Sequence, residues 1–152
     1  MALRVEFHTG VVDDLGFACR LLRKACRQGA RVLVRAPTAR LQQLDRELWT
    51  FVERDFLPHL RFQAPGPMPP HATRTPIWLV DGEVPAGSPP VLVNLGADLP
   101  ATLDGFERII EIVAVDADVE QRGRARWRTY RALGLDVKHH VGAAAARDAG
   151  HG

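Results

Sequence analysis

Strand-forming and helix-forming segments alternate over the first fifty residues, and this alternation restricts the chain to few folds. Residues 4–9 alternate in polarity and are rich in strand formers, and residues 30–36 form a short apolar run. Two helical stripes of apolar residues follow these runs: Leu15, Ala18, Cys19, Leu22 and Cys26 in the first, and Leu41, Leu44, Leu48 and Phe51 in the second. This order predicts parallel strands joined by right-handed helical connections.

The rest of the chain resumes the pattern after a proline-rich interruption. Residues 64–76 are predicted to form an extended surface loop. Strands are predicted at residues 77–82, 89–96, 108–116 and 135–141, a short helical or irregular stretch at 99–106, and a helix at 118–133. We therefore predict an α/β fold, a three-layer Rossmann-like sandwich around a mostly parallel sheet. Residues 1–140 would form a single domain and residues 141–152 a flexible C-terminal tail.

Parallel α/β folds often bind nucleotides, yet the turn after the first predicted strand lacks the residues that nucleotide binding requires. Residues 8–16 read HTGVVDDLG, which contains neither GxGxxG nor a P-loop. Asp13 and Asp14 would repel phosphate there, whereas both suit the N-terminus of a helix. We therefore predict that this fold has no nucleotide site.

Other catalytic and metal-binding patterns are also missing from the sequence. Ser88, the only serine, lies in a proline-rich turn without a nucleophile elbow. Cys19 and Cys26 lie on the core stripe of one helix, so both are predicted to be free, buried thiols. Adjacent His139 and His140 would point to opposite faces of a strand and could not chelate a metal together. We predict no catalytic residue, no cofactor and no metal.

Charge and the N-terminus restrict the class of protein further. The chain has 20 Lys and Arg residues against 18 Asp and Glu, a net charge of +2. This is too small a charge for a protein that coats nucleic acid. The first residues lack a signal peptide, and no apolar run approaches the length of a membrane span. These features predict a cytoplasmic protein.

Five arginines are concentrated in residues 121–131, QRGRARWRTYR, within the last predicted helix. At about 100° per residue, Arg124, Arg128 and Arg131 share one arc, with Trp127 at its border and apolar positions beside it. Such a face suits a peptide that offers carboxylates and an apolar anchor. It would also suit single-stranded nucleic acid, through phosphate contacts and stacking on Trp127. A solvated helix face without a partner is the third interpretation.

Over roughly residues 3–138 the chain resembles a known family, the chi subunit of bacterial DNA polymerase III, an accessory subunit of the clamp-loader complex. The motifs that carry the resemblance are, in order, VEFHTG, GARVLVRA, LDRELWTF, FLPH, FERIIEIV and RARWRTYRALGLDV. The resemblance implies a Rossmann-like fold without nucleotide chemistry. It also implies a non-catalytic role in DNA replication and two protein-binding surfaces.

The first implied surface grips the acidic C-terminal tail of the single-stranded DNA-binding protein. That tail ends in an apolar residue with a free carboxylate, preceded by aspartates. Carried over by position, the residues of this surface are Val113, Arg124 and Arg128, with Arg131 nearby, and Trp127 joins them at the border of the arginine face. A lysine that some relatives have one turn before Arg124 is Glu120 here. This residue would lower the affinity for the tail unless Arg122 and Arg126 compensate.

The second implied surface joins the chain to psi, the subunit that tethers chi to the clamp loader. In some relatives the same surface takes a helicase-like repair protein. Its residues here are Trp49, Phe51, Phe56, Leu57 and Pro58. The local sequence alone predicts Trp49 and Phe51 in the core, and Phe56 and Leu57 in an exposed apolar patch.

Overall fold

The computed structural model describes residues 3–50 and 56–142, and this part of the chain forms seven strands and three helices. The strands are β1 (Arg4–Val11), β2 (Val32–Arg35), β3 (His59–Ala64), β4 (Ile77–Gly82), β5 (Val91–Asn94), β6 (Arg108–Ala114) and β7 (Asp136–Val141). The helices are α1 (Asp14–Arg27), α2 (Thr38–Thr50) and α3 (Ala117–Ala132).

One sheet contains all seven strands, in the order β3-β4-β2-β5-β6-β1-β7. Every neighbouring pair is parallel. One apolar cluster joins the sheet to α1 and α2, and a second joins the opposite face to α3. The predicted three-layer α/β sandwich is therefore confirmed, with a sheet that is wholly parallel.

An aspartate caps α1 at the helix N-terminus that the sequence predicts. Asp13 accepts a hydrogen bond from the backbone N–H of Gly16 (3.0 Å) at the start of α1. After α1 the chain turns at Gly29, where φ is 75°, a conformation that favours a residue without a Cβ atom.

Cys19 in α1 is buried, whereas Cys26 is half-buried, so the prediction of two buried free thiols holds fully for the first only.

Two segments of the middle of the chain differ from the prediction. Strand β3 has no predicted counterpart, and it forms one edge of the sheet beside β4. The loop at residues 64–76 is not extended throughout, because Ala72–Arg74 form a 3₁₀ turn. Trp78 Nε1 donates a hydrogen bond to the carbonyl of buried Ala72 (2.8 Å), which fixes the loop against the sheet.

The C-terminal strand bears on the predicted domain boundary. Strand β7 runs to Val141 and so includes the first residue of the predicted tail, while residues 143–152 lie outside the described part of the chain. The division of the chain into a domain and a flexible tail stays a prediction. Within residues 3–50 and 56–142, no helix has the length and apolar character needed to cross a bilayer.

Candidate functional site

Helix α3 carries the predicted arginine face, and the local sequence explains its position. The Asp116 side chain caps the helix by accepting a hydrogen bond from the backbone N–H of Val119 (3.0 Å). Gly123 lets α3 lie close to β6, since a Cβ atom there would be only 3.1 Å from Val113 Cγ2. This close approach places Val113 at the base of a hollow beside the helix.

A cavity of about 390 Å³ opens between α3, β1 and β7. Four of the five residues predicted for the tail-binding surface line it: Val113, Arg124, Trp127 and Arg128. The fifth, Arg131, is an exposed residue of α3 and is not among the described residues that line the cavity. The fold thus brings an apolar base, an indole ring and two guanidinium groups together.

On β1 and β7 the cavity is lined by residues that the sequence does not identify. Trp127 makes edge contacts with the rings of Phe7 (centroids 5.1 Å apart) and His139 (5.5 Å). The hydroxyl of Thr9 lies 2.7 Å from His139 Nε2. Phe7 and His139 are paired in the register of β1 and β7, so only the strand order reveals that they meet. These contacts hold the indole ring as a fixed wall of the cavity.

The polar rim of the cavity carries charges of both signs. Arg124 and Arg128 are exposed, and within the described residues neither guanidinium group has a hydrogen bond or an ion pair. Both are therefore able to meet an anion that enters the cavity. Glu120 lies on the same rim and opposes such an anion.

The sequence leaves open whether Arg122 and Arg126 compensate for the charge of Glu120, and the structure excludes this role for Arg126. This residue is buried and faces the sheet, where its Nε donates to both carboxylate oxygens of Glu111 (3.0 and 3.2 Å). Arg122 lines a separate hollow with Arg35, at the carboxyl end of β2. The charge of the cavity thus depends on Arg124, Arg128 and Glu120.

The Glu111 carboxylate is the centre of a buried polar network beneath α3. Besides Arg126, it accepts hydrogen bonds from the hydroxyl of Tyr130 (2.7 Å) and from Asn94 Nδ2 (3.0 Å). Burial raises the pKa of Glu111, and its three partners oppose that shift. Burial and the Glu111 charge raise the pKa of Tyr130, so its hydroxyl remains a donor. The network fixes α3 on the sheet and so holds its arginines over the cavity.

A second exposed surface lies at the end of α2. Trp49 is 59% exposed and Phe56 is 66% exposed, and their ring centroids lie 5.5 Å apart. Pro58 is exposed beside them. The prediction that Trp49 lies in the core is wrong, because the buried stripe of α2 ends at Leu48. Phe51 lies outside the described residues.

The expected exposure of Leu57 is also wrong, since this side chain is only 5% exposed and packs in the core. The neighbouring His59 ring explains how the segment is held. Its Nδ1 lies 2.7 Å from the Leu57 carbonyl and its Nε2 lies 2.8 Å from Asp45 Oδ1. The ring also packs against Trp49, with centroids 4.8 Å apart. Leu57 thus anchors the segment, while Phe56 and Trp49 present the apolar surface.

Comparison with known proteins identifies the family. Residues 2–138 match the sequence profile of the family described as DNA polymerase III chi subunit, HolC. The DNA polymerase III subunit chi of Pseudomonas aeruginosa is 32% identical over 142 residues, which cover 90% of this chain and 95% of that protein. The chain therefore belongs to the DNA polymerase III chi subunit family, whose members are non-catalytic accessory subunits of the polymerase in DNA replication.

Proposed function

We propose that the cavity beside α3 binds the acidic C-terminal tail of the single-stranded DNA-binding protein. The observation that carries the proposal is the placement of two exposed guanidinium groups, Arg124 and Arg128, which have no partner among the described residues, beside the apolar base at Val113. The apolar side chain of the last residue of the tail would enter the hollow, and the carboxylates of the tail would meet the arginines. Each charge-assisted hydrogen bond of this kind contributes about 1.5–3 kcal/mol.

The last residue of such a tail has an apolar side chain and a free carboxylate, and the cavity has a place for each. Trp127 and Phe7 form an apolar wall that can cover the terminal side chain. The terminal carboxylate would then lie at the rim, within reach of an arginine. A volume of about 390 Å³ is within the range of small-ligand pockets, which favours one anchoring side chain over a long buried segment.

Binding of single-stranded nucleic acid is the alternative that the sequence leaves open. The structure offers less support for it, since Trp127 is half-buried and the rings of Phe7 and His139 pack against it. Base stacking needs an accessible ring face. A net charge of +2 also allows few phosphate contacts.

A peptide titration tests the proposal. We expect isothermal calorimetry to show binding of an acidic peptide with an apolar C-terminal residue, and no comparable binding of an oligonucleotide. Arg128→Ala should weaken peptide binding roughly tenfold or more, because one charge-assisted contact is lost. Arg46→Ala is the matched control, since Arg46 is an exposed helix residue on α2. Equal affinity of the two variants would remove the cavity from the binding site.

We also propose that the surface formed by Trp49, Phe56 and Pro58 binds psi or an equivalent subunit, and so links the tail-bound chain to the clamp loader at the cytoplasmic replisome. Two adjacent exposed aromatic rings form an apolar patch of the kind that marks protein interfaces. A helicase-like repair protein would compete for the same patch. Co-purification with psi should be lost in Phe56→Ala and kept in Met68→Ala, a control at another exposed apolar side chain. Retention of psi by Phe56→Ala would contradict this proposal.

A further inference from the structure

A cluster of one carboxylate and two imidazoles lies on the face of the sheet opposite the cavity. In the parallel register of β1 and β7, Glu6 is paired with Lys138 and His8 with His140. Side chains two residues apart on a strand share a face, so Glu6, His8 and His140 all point toward the α1 side. The His8 ring confirms this orientation, because it packs 5.0 Å from the ring of Phe17 in α1.

The three side chains are close enough to share one ion. One potential ligand atom from each residue lies within 4.8 Å of the other two. The His8 and His140 rings are stacked, with centroids 4.8 Å apart and planes at 14°. Ligands of a tetrahedral zinc ion, each at about 2.1 Å, lie about 3.4 Å apart. To bind one ion together, the three side chains would have to move by about 1 Å. His140 can make such a movement because it lies on an edge strand.

The polar groups of the cluster do not satisfy one another. Within the described part of the chain, His8 Nδ1 is buried without a hydrogen-bond partner. His8 Nε2 lies 3.9 Å from Glu6 Oε2, which is too long for a hydrogen bond. Buried polar atoms without partners are rare and call for a specific explanation.

We propose that Glu6, His8 and His140 bind a divalent transition-metal ion of the Zn²⁺ class. Two imidazole nitrogens and one carboxylate oxygen form a ligand set that suits zinc and its neighbours rather than magnesium or calcium. Three protein ligands leave one position of a tetrahedral ion open to water.

Arg108 is the main opposing group and sets the expected strength of this site. Its guanidinium donates from Nε to Glu6 Oε1 (3.2 Å) and from the terminal nitrogen to Oε2 (3.0 Å). An ion at Oε2 would leave the Oε1 contact intact, so Arg108 would orient the carboxylate while its positive charge weakens metal binding. Lys138, which is paired with Glu6 in the register, adds a second positive charge nearby. The site is therefore of moderate affinity and exchanges its ion.

Metal binding at this place would fasten the edge of the sheet. Among the described residues, β1 is the only strand beside β7, and the three ligands lie on these two strands. An ion held by both strands would add a cross-link between them. A ligand that binds the folded state alone raises the melting temperature.

The test uses the full chain after treatment with EDTA, titrated with zinc chloride by calorimetry and by competition with a chromophoric chelator. We expect one zinc ion per chain and a rise in melting temperature. His140→Gln and Glu6→Gln should each weaken binding roughly tenfold or more. His139→Gln is the matched control, since this neighbour lies on the other face of β7. Cys26→Ser tests for binding by the half-buried thiol.

Three results would overturn the inference. The first is the lack of zinc binding by the full chain. The second is binding that His140→Gln and Glu6→Gln leave unchanged, and the third is binding that Cys26→Ser abolishes, since in both cases the ligands would lie elsewhere. The melting temperatures of the variants without metal show whether they fold, so a loss of binding is not confused with unfolding.

Discussion

Replacement of Arg126 by methionine tests whether the buried network beneath α3 holds a charge. Glu111 is 0% exposed and Arg126 is 6% exposed. Arg126→Met leaves the Glu111 carboxylate with only the neutral donors Tyr130 and Asn94. An ion deprived of its partner in the protein interior costs about 3–5 kcal/mol. We expect a loss of this size in the free energy of unfolding.

A double variant separates the loss of the charge partner from the loss of packing. In Glu111→Gln combined with Arg126→Met neither member of the ion pair remains, so most of the stability should return. The ion pair is itself not fully satisfied, since within the described residues one terminal nitrogen of Arg126 is buried without a partner. Its removal as a pair is therefore much less costly than the removal of the arginine alone.

The pH dependence of the free energy of unfolding gives a second test of the charge in this network. Burial raises the pKa of Glu111 above its ordinary 4.5. A carboxyl group with a raised folded-state pKa contributes stability below its unfolded pKa, and this contribution is lost as the pH rises through the folded value. Arg126 opposes the shift, so in Arg126→Met the free energy of unfolding should fall more steeply with pH above about 4.5 than in the wild type.

Urea unfolding followed by tryptophan fluorescence measures these free energies, provided that the slope against urea stays constant. A loss below about 1 kcal/mol in Arg126→Met would refute the reasoning. A double variant no more stable than the single one would refute it equally.

Three further predictions concern single residues. Glu120→Lys should tighten binding of an acidic peptide several-fold and make the binding more dependent on salt, because a repulsive charge at the rim of the cavity becomes attractive. Calorimetry at two salt concentrations measures both effects, and unchanged affinity would place Glu120 away from the peptide. Gly123→Ala should gain less stability than the about 1 kcal/mol that this exchange gives at an unhindered helix position, because its Cβ atom would lie 3.1 and 3.3 Å from the Val113 methyl groups. The gain should be larger in a Val113→Ala background, as urea unfolding will show. Burial raises the pKa of the Cys19 thiol to about 12, so DTNB should label Cys26 first and Cys19 only on unfolding. Equal labelling rates of the two thiols, each measured in a variant without the other cysteine, would contradict that prediction.

Local pattern was sufficient for most of the fold, but not for the edge strand β3. Residues 59–64 read HLRFQA, which joins apolar and polar residues without a continuous apolar run. The strand is half-exposed at the edge of the sheet, so it needs fewer apolar residues than β4. Sequence reasoning favours buried strands and passes over such a segment.

The cavity was predictable where one helix supplies its residues. Helical spacing predicts Arg124 and Arg128, and it places Trp127 at the border of the arginine face. Val113 rests on the family resemblance. Phe7 and His139 depend on the pairing of β1 with β7, which lie far apart in the sequence. Helical spacing alone cannot show that Glu111 binds the side chain of Arg126 inside the protein.

The position of β1 has a consequence for synthesis on the ribosome. Strand β1, the first of the described strands, is enclosed between β6 and β7, the last two of them. In a nascent chain, β1 therefore cannot pair with either neighbour until β6 has been translated. Contacts so distant in sequence slow folding, because long loops must close first. During that interval Val5 and Phe7, which are buried in the finished protein, are open to chaperones.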